Sequence, residues 1–274
     1  MEFTAITSRQ NATLKHLARL AREKKYRLKT GEMVCEGEKM LGEALDSDIR
    51  VGAVLVRAGT ACDDALLARV AAQGASLLTA EKALFDLATD VETPQGVLFS
   101  CERPVRQTVD FSSVRRAVLL DGLQDPGNLG TILRTADAFA LDLVILCEGC
   151  TDPTAPKVVR ATMGAAFRQP VCQMPLSEAI DALQQHGIPV YAAALEPDSV
   201  PLPPEGLPEC SAVIIGNEGN GVTQAALDLC DHKLIIPMAG RAESLNAGVA
   251  AAILIWEMTK KEDKPCQSAY TGCG

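Results

Sequence analysis

Three short stretches gather most of the residues that could hold a ligand or steer charge: "DGLQDPGN" (121–128), "GNEGNG" (216–221) and "PMAGRAESLN" (237–246). Glycines at 216, 219 and 221 fall within six positions and cost backbone entropy. Such glycines mark a positive φ or a close approach by a ligand, a phosphate or another stretch of chain. Among and around them stand Asn217, Glu218, Asn128, Ser244 and Asn246. Amides donate and accept at once, whereas an ionised carboxylate only accepts, so this set can build a polar cradle. The familiar catalytic constellations are missing. There is no GxxxxGK[ST] loop and no GxGxxG opening a helix after the first strand of this region. The three histidines, His16, His186 and His232, fit no Ser-His-Asp pattern. Without a nucleophile–base pair, chemistry at these loops rests on positioning a reactive cofactor.

Each stretch follows an expected strand. Apolar runs and helical stripes predict strands at 117–121, 143–147, 189–194, 211–215 and 233–237. Helices are expected near 128–140, 155–166, 176–186, 223–230 and 244–260. In open α/β sheets ligands sit outside the carboxyl ends of the strands, and helix N-termini there offer free N–H groups. The three loops are therefore expected to converge on one pocket. On the helix at 128–140, Leu129, Ile132, Leu133, Ala136 and Ala140 form the buried stripe and leave Thr131, Arg134 and Thr135 off it. On the last helix, Leu245, Val249, Ile253 and Trp256 are spaced as one buried stripe. A smaller alternating series precedes this one, beginning with a helix over 11–29, and predicts a second α/β domain with a largely parallel sheet. The expected division is a domain at 1–101, a linker at 102–116, a domain at 117–262 and a disordered tail at 263–274.

Composition narrows the function classes. With 47% hydrophobic and 22% charged residues the chain reads as soluble and globular, and no apolar run approaches the length of a membrane span. Ten scattered cysteines suit a reducing cytoplasm. The "CEGC" pair, Cys147 and Cys150, has no second pair or nearby histidines to complete a metal site, so no metal is expected. The net charge of −9 hides an asymmetry: residues 1–30 hold eight Lys/Arg against two glutamates, a local +6, which leaves −15 on the rest. A basic segment on an acidic body is either a footprint for phosphate or a solvated helix face.

The motifs carry a resemblance. "LQDPGNLGTILRTADAF" (123–139), "IIGNEGNGV" (214–222) and "IPMAGRAESLNAGVAAAILIWE" (236–257) resemble the three motifs of the SpoU/TrmH branch of the SPOUT methyltransferases, in order and spacing. Residues 4–101, with "TPQGVLF" (93–99), resemble the L30e-like RNA-binding domain that many members carry in front. The resemblance implies an S-adenosylmethionine-dependent enzyme that methylates a ribose 2′-hydroxyl, in ribosomal rather than transfer RNA, and acts as a homodimer. It implies a parallel-sheet domain threaded into a trefoil knot that holds the cofactor. It places Asn128, Arg134, Glu218, Ser244 and Asn246 at the catalytic site, with Arg134 at the 2′-hydroxyl. Cofactor contacts fall to Leu195, Gly216, Asn217, Glu218, Gly219, Ile236, Met238 and Leu245. Glu218 is expected to fix Arg134 or the RNA-side geometry. The third motif departs from the family's common form, reading Ala247-Gly248 where a serine often follows.

RNA contacts are expected from Arg9, Lys15, Arg22, Lys24, Lys25 and Arg27 in the basic segment, with Lys157 and Arg160 on the second domain. Two other classes compete: a non-catalytic RNA-binding protein of the same fold, and a small-molecule nucleotide enzyme. The missing phosphate loops speak against the latter.

Overall fold

The computed structural model describes residues 3–106 and 108–260; the tail expected at 263–274 lies outside them. The first sheet forms from β1 (Thr4–Ile6), β2 (Glu32–Glu36), β3 (Val51–Arg57), β4 (Ser76–Ala80) and β5 (Val97–Glu102), in the order β1-β4-β3-β5-β2. Around it lie α1 (Ala12–Arg22), α2 (Lys24–Thr30), α3 (Glu38–Asp46), α4 (Asp64–Ala72) and the short α5 (Lys82–Phe85). β4 pairs parallel to β1 and β3, but β5 runs antiparallel to both β3 and β2. The expectation of a largely parallel sheet is therefore corrected to a mixed one. Between β4 and β5 the chain makes only the four-residue α5 and a loop, not the long helical crossover that usually delivers a parallel neighbour, and β5 runs back antiparallel beside β3.

The expected helix over 11–29 is two helices. Asn11 caps α1 through its side chain, and Glu23, extended at φ −110° and ψ 102°, breaks the run. Its carboxylate pairs with Arg19, whose guanidinium lies 3.8 Å over the Tyr26 ring. The break turns α2 so that Arg27 faces inward while Lys24, Lys25 and Lys29 stay exposed.

The second sheet has eight strands, all parallel. They are β6 (Val105–Arg106), β7 (Arg116–Leu120), β8 (Leu143–Leu146), β9 (Val171–Gln173), β10 (Val190–Ala193), β11 (Val200–Pro201), β12 (Ser211–Ile215) and β13 (His232–Ile235). Their order is β11-β13-β10-β12-β7-β8-β9-β6, with Val213 of β12 beside Val118 of β7. Every residue of β7, β8 and β12 is buried, as expected of parallel strands covered on both faces. The stretch expected as linker supplies β6, which pairs with β9.

Five helices cover the second sheet: α6 (Pro126–Ala138), α7 (Pro156–Thr162), α8 (Leu176–Gln185), α9 (Gln224–Leu229) and α10 (Ala247–Thr259). Leu129, Ile132 and Leu133 of α6 share one core with Leu254 and Ile255 of α10. Leu183 of α8 and Leu227 of α9 belong to the core on the other face. Two stripe expectations fail. Ala140 is exposed just past α6, in the left-handed region at φ 51°. On α10 the buried face is Gly248, Ala251, Ile255 and Met258, while Val249 and Trp256 are 48% and 50% exposed. This helix is apolar all round, so spacing could not tell which of its faces turns inward.

Candidate active site

The strand order reverses between β7 and β12, and ligands bind at such switch points, outside the carboxyl ends of the strands. The loop after β7 and the loop after β12 lie side by side there. Asn217 joins them: its Nδ2 donates to Gly122 O at 2.8 Å, and its Oδ1 accepts from Gly219 N and Asn220 N. Asp121 Oδ2 accepts from Thr223 N at 2.7 Å.

Glu218 makes the third connection. Its carboxylate accepts from Gln124 N at 3.1 Å, Asp125 N at 3.0 Å and Asn128 Nδ2 at 3.0 Å. Desolvation alone would raise this group, but the donors from Asn128, Gln124 and Asp125 outweigh it and hold the carboxyl below its ordinary range. Glu218 is thus an anion committed to three donors, and it contacts α6 near its start instead of Arg134.

The third loop enters through Asn246. Asp125 caps α6, so Asn128 sits inside the first turn, 8% exposed. Asn246 caps α10: its Oδ1 accepts from Gly248 N and Val249 N at 2.9 and 3.2 Å. That leaves Nδ2 to donate, and it reaches Asn128 Oδ1 at 2.9 Å. Each amide therefore has one consistent orientation, and a directed chain runs from Asn246 to Asn128 to Glu218.

Behind this chain opens a cleft of about 610 Å³, a volume within the usual range for small-molecule and cofactor sites. All eight residues expected to contact cofactor line it, together with Ser244 and Asn246. Among the described residues, Leu195, Gly216, Ile236, Met238 and Leu245 make no backbone hydrogen bond. Their N–H and C=O groups are thus available to a polar ligand, between apolar side chains. An ionised carboxylate on the same wall suits a cation such as a sulfonium. Glu196 also lines the cleft and was not foreseen from sequence, since it lies in an unremarkable loop.

The glycines divide by role. A Cβ at Gly216 would fall 2.1 Å from Gly221 C and 2.2 Å from Val222 N, so the chain's own crossing demands glycine there. Gly221 has φ 71°. A Cβ at Gly219 would meet only Asn217 Oδ1, at 3.5 Å.

Arg134 lies apart. It is exposed on α6 and makes no hydrogen bond or ion pair among the described residues. Six residues along a helix place it about 120° around from Asn128, and it is not among the residues that line the cleft.

Residues 115–256 match the SpoU rRNA Methylase family, and residues 11–98 match the MRM3-like substrate binding domain. The chain belongs to the SpoU rRNA methylase family. It is 37% identical over 253 residues, 92% of this chain and 98% of the relative, to the Bacillus subtilis 23S rRNA (guanosine(2553)-2'-O)-methyltransferase RlmP. Its structure is similar to that of an AdoMet-bound rRNA methyltransferase from Sinorhizobium meliloti, with TM-score 0.81 and 28% identity over 94% of this chain and 98% of that one. A putative TrmH-family RNA methyltransferase from Porphyromonas gingivalis gives TM-score 0.78 and 32% identity over 92% and 99%.

The SpoU motifs account for the site, and the expected RNA contacts divide. Arg9, Lys15, Lys24, Lys25 and Lys157 are exposed. Arg22 is spent on Leu87 O and Thr89 O, at 2.9 and 3.1 Å. Arg160 pairs with Asp90 at 3.0 Å. Arg27 is corrected outright: it is 4% exposed, with its guanidinium on Asp152, and cannot reach a phosphate. Of the CxxC pair, burial pushes the Cys147 and Cys150 thiols up, away from the reactive thiolate. Among the described residues no cluster of three His, Cys, Asp or Glu could hold a metal ion, and no helix is long and apolar enough to cross a membrane.

Proposed function

We propose that this SpoU-family chain is a ribose 2′-O-methyltransferase of ribosomal RNA that binds S-adenosylmethionine in the 610 Å³ cleft and acts as a homodimer. The observation that carries the reading is the chain from Asn246 through Asn128 to Glu218, which draws three distant loops into one cradle. When bound, the cofactor supplies an electrophilic methyl carbon on a sulfonium. Backbone groups of Leu195, Ile236, Met238 and Leu245 orient it, and the apolar side chains around them exclude water. Glu218, held ionised on the wall of the cleft, would contribute negative charge toward a bound sulfonium. Arg134 binds the RNA at the 2′-oxygen or the neighbouring phosphate and stabilises the forming alkoxide, while the hydroxyl proton passes to solvent water; a guanidinium carries only donors and does not serve as the base.

The homodimer is supported by two features of one surface. Arg134 is exposed on α6 and does not line its own cleft, and α10, packed against α6, carries exposed Val249 and Trp256. Pairing two copies across this surface covers the apolar residues and lets the partner's Arg134 serve the cleft. The trefoil knot belongs to the same proposal: from β13 the chain returns through residues 236–246 to lay α10 against α6 and β12, near the middle of the sheet. A cytoplasmic location, where ribosomal RNA is made and used, is also part of it.

The test is labelled methyl transfer to total RNA from cells lacking the protein, followed by mapping of the protected ribose. One ribose in ribosomal RNA is expected. Arg134→Ala should keep S-adenosylmethionine binding in calorimetry and lose about 10²-fold or more in kcat, as when one stabilising donor is removed. An Arg134→Ala enzyme as fast as wild type would remove that side chain from the mechanism. Label confined to transfer RNA would redirect the substrate.

A further inference from the structure

The two sheets are joined by more than the chain between them. Arg27 of α2 sends Nε and Nη2 to Asp152 Oδ2 at 3.0 and 2.7 Å, and its Nη1 to Leu20 O at 2.7 Å. The other carboxylate oxygen of Asp152 accepts from Thr154 N and Thr154 Oγ1 at 2.9 and 2.7 Å. Both charges are buried, 4% and 6% exposed, and they lie 125 residues apart in sequence. A buried pair is weak as a source of net stability, and its best-attested use is to fix register.

Apolar packing runs through the same junction. Val159 of α7, with Ala166 and Phe167 just beyond it, belongs to the core of the first sheet beside Met33, Cys35 and Leu41. At the rim Arg160 meets Asp90, and Arg168 joins Glu43 to Asp137 of α6. On its other side α7 touches α6 without a spacer: a Cβ on Gly130 would lie 2.3 Å from Ala161 Cβ. α6 carries both Asn128 and Arg134.

We propose that Arg27, Asp152 and α7 form a ruler. They hold the exposed basic face of α2 at one fixed distance from Arg134 and so select which ribose of a docked RNA is methylated. Arg27 and Asp152 are positioning residues here, for neither faces the cleft. The argument is one of continuity. From the exposed Lys24 and Lys25 the path runs along α2 to Arg27, across the buried bond to Asp152, along the chain into α7, across the Gly130–Ala161 contact and along α6 to Arg134. A rigid path of this kind leaves an anchored RNA one reachable hydroxyl.

This inference rests on the proposed RNA methylation, so its test has one readout that does not. Full-length Arg27→Lys, Arg27→Met and Asp152→Asn are compared with wild type on the RNA it methylates, and amide hydrogen exchange is followed over residues 152–168. Cofactor affinity should stay within about twofold, while kcat at the principal ribose falls by up to about 10²-fold, the scale of a 1 Å misplacement. Methyl groups should appear on neighbouring riboses, exchange in α7 should quicken, and Arg27→Lys should fall between wild type and Arg27→Met. Variants that keep one ribose at the wild-type rate, with only a lower Tm, overturn the ruler. Unchanged exchange overturns it even if the wild type methylates no RNA, a result that would separately remove the functional reading. If the junction variants fail to fold, Gly130→Ala loosens the path at its other end, and an unaltered methylation pattern there is equally fatal.

Discussion

Glu218 answers to three donors at once, and this fixes what its removal does. Glu218→Ala leaves Gln124 N, Asp125 N and Asn128 Nδ2 without their acceptor. Each donor left unpaired costs about 1–3 kcal/mol where water cannot replace it. The variant should melt lower and lose cofactor affinity together, as read by thermal unfolding with and without S-adenosylmethionine. The pH sign follows from the same bonds. A carboxyl depressed in the fold contributes stability above its unfolded pKa of about 4.3, and this is lost as pH falls through the lower folded value. Glu218 should therefore give no ionisation limb in a rate profile near neutrality. At this scale the sequence was legible in residue type. Asn128, Glu218 and Asn246 stood out as polar groups at loop ends, but their mutual bonds did not, because the three lie 118 residues apart at the widest. Arg27 misled for the opposite reason: charge and spacing said surface, and only the break at Glu23 turns it inward.

Within "GNEGNG" the three glycines make a graded experiment at the scale of the element. Gly216→Ala would place a methyl 2.1 Å from the Gly221 carbonyl carbon, so the loop must open and the cleft with it. Gly221→Ala keeps the shape at a strain of about 1–2 kcal/mol for a left-handed residue. Gly219→Ala meets nothing closer than 3.5 Å, so the fold should tolerate it. Calorimetry with S-adenosylmethionine should show abolished, weakened and near-native binding in that order. A strong loss for Gly219→Ala alone would show instead that its backbone touches the ligand. The strands were readable because apolar runs such as "SAVII" and "LVILC" are buried on both faces. The edge strands β6 and β11 were not, since two residues carry no period, and the direction of β5 depends on a turn that no apolar pattern records.

For the whole molecule, the proposed homodimer makes the outer face of α10 the surface to test. Val249→Lys with Trp256→Glu should give a monomer by sedimentation, with cofactor affinity retained and methyl transfer lost, because the cleft then lacks the partner's Arg134. Wild-type Tm should rise with protein concentration and the variant's should not, as mass action requires. A variant monomer that methylates at the wild-type rate would exclude a shared site. The two-domain order and the converging loops followed from alternation and motif spacing. The junction did not: α7 reads as an ordinary short helix, and its outward residues look like surface until a second sheet is packed against them.

The contrast between bonded amides and a solitary guanidinium has a consequence for how such proteins age. Asn128, Glu218 and Asn246 are kept by the fold itself, so a descendant that abandoned catalysis would still hold them or unfold. Among the described residues no side-chain bond holds Arg134 in place. On the proposed role, mutational drift would erase it first once chemistry ceased, which would make that single arginine a better witness to living chemistry than the whole polar trio.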